Sequence, residues 1–145
     1  MQKKLLLIGC LTGCVAVLFA ADEQRLNVKP GLWQFEYKVN YSGLPPQAQA
    51  MMKLCVRDKD LTKGWTQGHE NCPWKVVKST SSDLELHQDA CKADHTEMDL
   101  KFHAVDSENV LATMHGTGTQ NGANITLDGN YVGKWLGSTC PANMK

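Results

Sequence analysis

The sequence lacks an excess of charge of either sign, with 15 basic and 15 acidic residues. It also lacks a basic patch with interleaved aromatic residues, the pattern by which proteins bind nucleic acids. If a leader containing Lys3 and Lys4 is removed, 13 basic residues face 15 acidic ones, a net charge near −2. Nothing in the composition therefore points to a nucleic-acid partner.

The short motifs of the common enzyme classes are also missing. There is no Gly-x-Ser-x-Gly elbow, no phosphate-binding loop, no dinucleotide fingerprint and no His-Glu-x-x-His pair. These absences do not exclude catalysis, but they make an enzyme the less favoured hypothesis. We expect no cofactor.

No two cysteines have the Cys-x-x-Cys spacing typical of a zinc knuckle. Two cysteines lie in the apolar N-terminus, and four follow in the rest of the chain: Cys55, Cys72, Cys91 and Cys140. An even number of cysteines downstream of an export signal predicts two disulfides, formed in an oxidising compartment.

The N-terminus has the pattern of an export signal, because two lysines precede a run of largely apolar residues that ends at Ala20. The run is too short to favour a transmembrane span. The tetrapeptide LTGC, which ends at Cys14, resembles a bacterial lipobox whose cysteine is lipidated. Two interpretations remain open: a signal peptide over residues 1–20 before a single β domain over residues 21–145, or a lipoprotein signal that ends before Cys14.

The clearest strand pattern follows the turn signal Pro30-Gly31. Apolar residues alternate with polar ones from Trp33 to Tyr41, which predicts a β-strand with one face in water. Trp33, Phe35 and Tyr37 share the apolar face. Such a stripe can line a ligand cavity, but it is more often core, and we interpret it as core.

The stretch from Cys72 to Cys91 predicts a β-hairpin, because strand-forming residues flank the turn-prone run STSSD. A Cys72–Cys91 bond would close this hairpin and leave Cys55 to pair with Cys140. It requires a bulge near Asp89, since matching the apolar residues of the arms puts Cys91 on the opposite face. We prefer this pairing, and the alternative of Cys55 with Cys72 and Cys91 with Cys140 remains open.

Turn signals at short spacing divide the remaining chain into further strands. A single helical turn is predicted over residues 47–52, and a short strand follows it over residues 53–57. Three later strands are predicted over residues 96–106, 110–119 and 125–135, the last being a pair if Asp128-Gly129 forms a turn. We predict an all-β fold, a small antiparallel barrel or sandwich of about seven to eight strands stabilised by disulfides.

Several motifs together resemble one family. They are VKPGLW at residues 28–33, KLCV around Cys55, the cysteines at 72 and 91 beside predicted strands, and GSTC ending at Cys140. This combination is similar to the exported bacterial proteins catalogued as domain of unknown function 3617. The resemblance implies a small exported β-domain and carries no activity with it.

One polar cluster could bind a divalent metal. His87 and Asp89 would share a strand face two residues apart, and His95, His103 and His115 could add ligands. Because other charged residues occupy the same polar positions, we interpret these histidines as solvated and expect no metal. An undetected enzyme or metal-handling protein using His87 and Asp89 is the alternative hypothesis.

The function expected from these observations is that of a periplasmic, non-enzymatic binding or envelope-associated domain. Its partner would be an envelope protein or a small apolar ligand, held in a cavity to which the Trp33 strand and the Trp135 segment contribute. A membrane would be involved only through a lipid anchor at Cys14.

Overall fold

The computed structural model describes residues 25–57, 72–91 and 95–144. These residues form seven strands: β1 (Gly31–Tyr41), β2 (Ala50–Val56), β3 (Lys75–Ser79), β4 (Asp83–Gln88), β5 (Thr96–Ala104), β6 (Asn109–Gln120) and β7 (Ala123–Gly137). All pair antiparallel in one sheet of order β2-β1-β7-β6-β5-β4-β3. The predicted all-β antiparallel class is confirmed. No helix in the described ranges is long and apolar enough to cross a membrane.

The sheet is not closed into a barrel. Its outermost strands are β2 and β3, which do not pair with each other in the described part of the chain. Strands β3 to β7 form an up-and-down meander, and β1 then pairs along β7 from Leu32↔Gly137 to Tyr41↔Leu127. The closed barrel of the prediction is therefore not formed, whereas the seven antiparallel strands and two disulfides fit the sandwich alternative.

One local prediction is wrong, and one alternative that the sequence left open is decided. The helical turn predicted over residues 47–52 is absent, because Ala50–Val56 pairs with β1 as strand β2. Pairing of Met52 with Phe35 overrides the helix propensity of this short run. Residues 123–137 form one strand without a turn, since Asp128 pairs regularly with His115 on one side and with Asn40 on the other.

The core lies on one face of the sheet, called here the inner face, where alternate residues of each strand meet. Trp33 and Phe35 of β1 are fully buried, which a flat sheet of one layer could not achieve. The sheet must therefore curl over its apolar side. The buried cluster includes residues of every strand except β3 and of the segment before β1. Its members are Leu26, Val28, Trp33, Phe35, Val56, Leu84, Leu86, Leu100, Phe102, Val110, Ala112 and Tyr131.

The segment before β1 covers one end of this core. Leu26 and Val28 are buried in it. The residues that follow each of them make backbone hydrogen bonds. The N–H of Asn27 donates to Ser81 O at 2.8 Å, and the N–H of Lys29 donates to Ser107 O at 2.9 Å. These acceptors lie in the β3–β4 and β5–β6 turns, so the segment crosses the end of the sheet where both turns lie.

The Lys29-Pro30-Gly31 tripeptide joins this segment to two tryptophans. The indole N–H of Trp33 donates to Lys29 O at 2.9 Å, and that of Trp135 donates to Pro30 O at 3.1 Å. Gly31 has a φ of 134°, and a Cβ there would overlap the backbone of β7. The family motif therefore holds the chain against β7 where only glycine fits.

The disulfides join Cys72 with Cys91 and Cys55 with Cys140, the pairing preferred from the sequence. The hairpin irregularity lies between Val76 and Lys78 and not near Asp89. Placing the extra residue in β3 brings the two cysteines of the hairpin together. The leader, Cys14 and the connection over residues 58–71 lie outside the described residues.

Candidate functional site

The inner face is tightly filled at the end nearest the N-terminal segment. Trp33, Phe35, Phe102 and Val110 are each no more than 2% exposed. Trp33 stacks near Phe35 with ring centroids 6.1 Å apart. Trp33 is therefore core, and the suggestion that it lines a ligand cavity is wrong because solvent does not reach it.

Towards the other end, the same face is only partly covered. Five half-buried apolar side chains lie there, and we call this group the mouth: Tyr37, Val39, Met98, Met114 and Ile125. The register places them on neighbouring strands, since Val39 and Met114 both pair with Gly129. The open sheet thus presents an apolar surface that the described residues do not fully bury.

Two glycines form the floor beneath the mouth. A Cβ at Gly116 would lie 3.3 Å from Met98 Cγ, and one at Gly129 would lie 2.9 Å from a ring carbon of Tyr131 and 3.3 Å from Met114 Cε. Large, adaptable side chains therefore lie flat over glycine positions in β6 and β7. The shape of the mouth is therefore set partly by Met98 and Met114, whose side chains can change rotamer.

Tyr131 separates the mouth from the filled core. It is 7% exposed, its ring stacks on Tyr37 at 5.5 Å between centroids, and its hydroxyl lies 3.7 Å from Met114 Sδ. Burial is the main cause that raises the pKa of Tyr131, so the phenol is neutral at physiological pH. The mouth described here therefore carries no formal charge.

The opposite face of the sheet, the outer face, carries a row of alternating histidines and aspartates. His87, Asp99, His115 and Asp128 are consecutive partners across strands β4 to β7. His87 Nδ1 lies 2.8 Å from Asp99 Oδ1, and His115 Nδ1 lies 2.7 Å from Asp128 Oδ1. Two of the predicted wet-face histidines, His87 and His115, are thus paired with carboxylates.

His87 has the densest surroundings of these residues. Its Nε2 lies 3.2 Å from Asp89 Oδ1 and 3.8 Å from Glu97 Oε1. The hydrogen bond with Asp99 is the largest cause that raises the pKa of His87, and the bond with Asp89 adds to it. Lys75 pairs with Asp89 and, with the His87 bond, lowers the pKa of that carboxyl. His87 is therefore suited to hold a proton.

The structure brings His87 and Asp89 together but does not gather the other proposed ligands around them. His103 pairs with Asp83 at 2.9 Å and His115 with Asp128, and His95 is exposed. No group of three His, Cys, Asp or Glu side chains within the described ranges is arranged to hold a metal ion. His87, His103 and His115 on the outer face are therefore hydrogen-bonded to carboxylates.

The histidine–aspartate row is not among the features predicted from the sequence, although one signal for it is present there. The two-residue turn Asn121-Gly122, with positive φ at both positions, sets the register of β6 and β7. Counting six residues outwards from that turn pairs His115 with Asp128. The sequence holds no such signal for the mouth. Val39 and Met98 alternate with polar residues as core residues do, and only the order of the strands shows that they are half-exposed.

The fold and these two faces define a small disulfide-linked all-β domain without a recognisable catalytic centre in its described part. A comparison with protein families matches residues 28–140 to the family described as protein of unknown function (DUF3617). The chain belongs to that family. Comparisons of this chain with the curated proteins and with the solved structures found no match.

Proposed function

We propose that the protein is an exported, non-enzymatic binding domain that takes a small apolar ligand at the mouth of its inner face. The supporting observation is the unequal coverage of that face. Phe35 and Phe102 are buried at one end, whereas Val39, Met98 and Met114 remain half-exposed at the other. Exposed apolar surface that continues a core is typical of ligand-binding grooves.

The chemistry of the mouth indicates the kind of ligand. Its described side chains offer aliphatic groups, two thioethers and the ring of Tyr37. A thioether side chain adapts its rotamers to ligands of different shape. Among the described residues, no charged side chain lies in the mouth to pair with an ionised group, so we expect the buried part of the ligand to be uncharged.

Binding of a naphthylamine dye that fluoresces in apolar surroundings tests this proposal. We expect the purified protein to bind the dye and an added long-chain alcohol to displace it. Val39→Asp places a carboxylate at the mouth and is expected to weaken dye binding at least tenfold, because burying the charge opposes ligand entry.

Val132→Asp is the matched control, because Val132 is 54% exposed on the outer face. It should leave dye affinity unchanged. Met114→Gln offers a milder second change at the mouth if Val39→Asp does not fold, and circular dichroism identifies that case. Equal losses in the mouth and control variants, or no dye binding by the wild type, would contradict the proposal.

The export of the chain is supported by its two disulfides, which require an oxidising compartment to form and persist. We infer that the chain is cleaved near Ala21 and is soluble in the periplasm. Lipidation at Cys14 would leave the apolar run up to Ala20 on the mature protein. Cleavage near Ala21 removes that run and exposes a polar start, ADEQ.

Intact mass of the native protein distinguishes the two processed forms. A chain beginning near Ala21 without acyl groups is expected. A mass equal to a chain from Cys14 with a diacylglyceryl group and an amide-linked acyl chain would show the anchored form.

A further inference from the structure

Two runs of the chain that lie at one end of the sheet have no formal charge. Residues 39–52 contain no Asp, Glu, Lys, Arg or His, and neither do residues 116–127. These runs stand out in a chain of which 21% is charged. Together they are called the uncharged end.

The fold brings the two runs side by side. Tyr41 pairs with Leu127, the backbone N–H of Ser42 donates to Thr126 O at 2.9 Å, and the N–H of Thr126 donates to Ser42 Oγ at 2.8 Å. The connection from β1 to β2 is thereby attached beside the β6–β7 hairpin. Charged residues border the two runs. They include Lys38, Lys53 and Asp128, Glu97 on β5, and Glu36, which pairs with Met51 and accepts a hydrogen bond from Gln49 Nε2 at 2.9 Å.

The uncharged end also exposes apolar side chains to water. Leu44 is 58% exposed, Met51 68% and Tyr41 41%. Every residue from Tyr41 to Gln49 is exposed, including two consecutive prolines. At the opposite end of the sheet, by contrast, Lys29 and Glu108 form an ion pair at 2.5 Å.

We propose that the uncharged end is a surface that contacts the interface of a phospholipid bilayer. Tyrosine and leucine beside uncharged polar groups suit the headgroup boundary, where a tyrosine ring is partly apolar and partly hydrated. A stable protein interface needs about 800 Å² per partner, with a packed core and paired polar groups. The three exposed apolar side chains Tyr41, Leu44 and Met51 are too few to provide that core.

This proposal rests on the proposed function and extends it, because the mouth opens beside the uncharged end. Val39 and Ile125 belong both to the mouth and to the two uncharged runs. A ligand leaving a bilayer at this end would reach the inner face without passing a charged side chain of these runs. The ligand class implied is therefore a membrane-soluble apolar molecule.

Co-sedimentation with phosphatidylcholine vesicles tests the contact. The protein would be purified from the periplasm with Cys14→Ala, and its mass checked for loss of the leader, so that neither an acyl anchor nor the leader contributes. We expect vesicle binding that persists in high salt, because the proposed contact is made by uncharged side chains and does not depend on ion pairs that salt would screen. Leu44→Glu should weaken binding at least tenfold.

Leu111→Glu is the matched control, since Leu111 is 47% exposed on the outer face away from this end. It should bind vesicles as the parent protein does. Absence of vesicle binding, an equal loss in both variants, or binding that requires anionic lipid and disappears in salt would overturn the inference.

Dye binding measured without vesicles separates the two proposals. A parent protein that binds dye but not vesicles contradicts only the bilayer contact. One that binds vesicles but not dye contradicts only the ligand site.

Discussion

The ring of Phe35 in β1 lies directly over Gly133 in β7, its partner across the two strands, so that a Cβ at Gly133 would overlap three ring carbons. Phe35 is fully buried and cannot move away without disturbing the core. Gly133→Ala should therefore lower the free energy of unfolding by about 1–3 kcal/mol, the usual cost of overpacking. Urea denaturation measures it.

Gly137→Ala is the control for that substitution, because it lies in the same strand and its added Cβ would meet nothing within 4 Å. We expect a change smaller than about 0.5 kcal/mol there. Equal effects at the two glycines would show that loss of backbone freedom, and not the contact with Phe35, governs stability in β7.

The two tryptophans bound to the Lys29-Pro30 backbone should differ in their contribution to stability. Trp33→Phe leaves a cavity in a fully buried site and removes the donor to Lys29 O, so we expect a loss of about 2–4 kcal/mol. Trp135→Phe removes a donor from a half-exposed site and should cost at most about 1 kcal/mol. Denaturant unfolding of both variants compares them, and a larger loss at Trp135 would contradict this order.

The two disulfides close loops of very different length. Cys55–Cys140 spans 85 residues and Cys72–Cys91 spans 19. In the loop-entropy description, removing the long link costs about 4–5 kcal/mol and removing the short one about 3 kcal/mol. Replacing each pair of cysteines by alanine and measuring the free energy of unfolding should reveal that order.

Thiol counting in denaturant should find no free cysteine among these four in the wild type, and two reactive thiols would refute full oxidation.

The stability of the sheet should depend on pH through His87. Hydrogen bonds with Asp99 and Asp89 raise its pKa above the ordinary 6.5, so the folded protein binds the proton more tightly than the unfolded chain does. This contribution is fully present below about pH 6.5 and is lost as the pH rises through the raised pKa. Unfolding at pH 5.5 and pH 8.5 should show the decrease, and His87→Asn should reduce it.

Two carboxylates, Asp89 beside His87 and Asp83 beside His103, set the acid limit of the same profile. Bonds to Lys75 and His87 lower the pKa of Asp89, and bonds to His103 and Ser82 lower that of Asp83, both from 3.8. Their contribution to stability is present above about pH 3.8 and is lost as the pH falls through the lowered pKa values.

His95→Asn is the control for the His87→Asn substitution, because His95 is exposed and outside the histidine–aspartate row. If it changed the profile as much as His87→Asn, the assignment to His87 would be wrong.

Much of the sheet was predictable where side-chain alternation and turn chemistry agree. Trp33, Phe35 and Tyr37 alternate with polar residues, and Asn121-Gly122 marks a two-residue turn that sets the pairing of β6 with β7. Residues 47–52 were mispredicted because local propensity in so short a run is weak compared with the pairing of Met52 with Phe35.

The sequence by itself determined the strand class, the inner and outer faces and the cysteines available for bonding, because these depend on periodicity two and on residue type. The tertiary structure alone decided that β2 and β3 remain edges, that Val39 and Met114 stay half-exposed, and that residues 39–52 lie beside residues 116–127. Those features depend on which strands become neighbours and on how far the sheet curls. Each involves contacts between distant parts of the chain, and a local pattern of side chains does not encode such contacts.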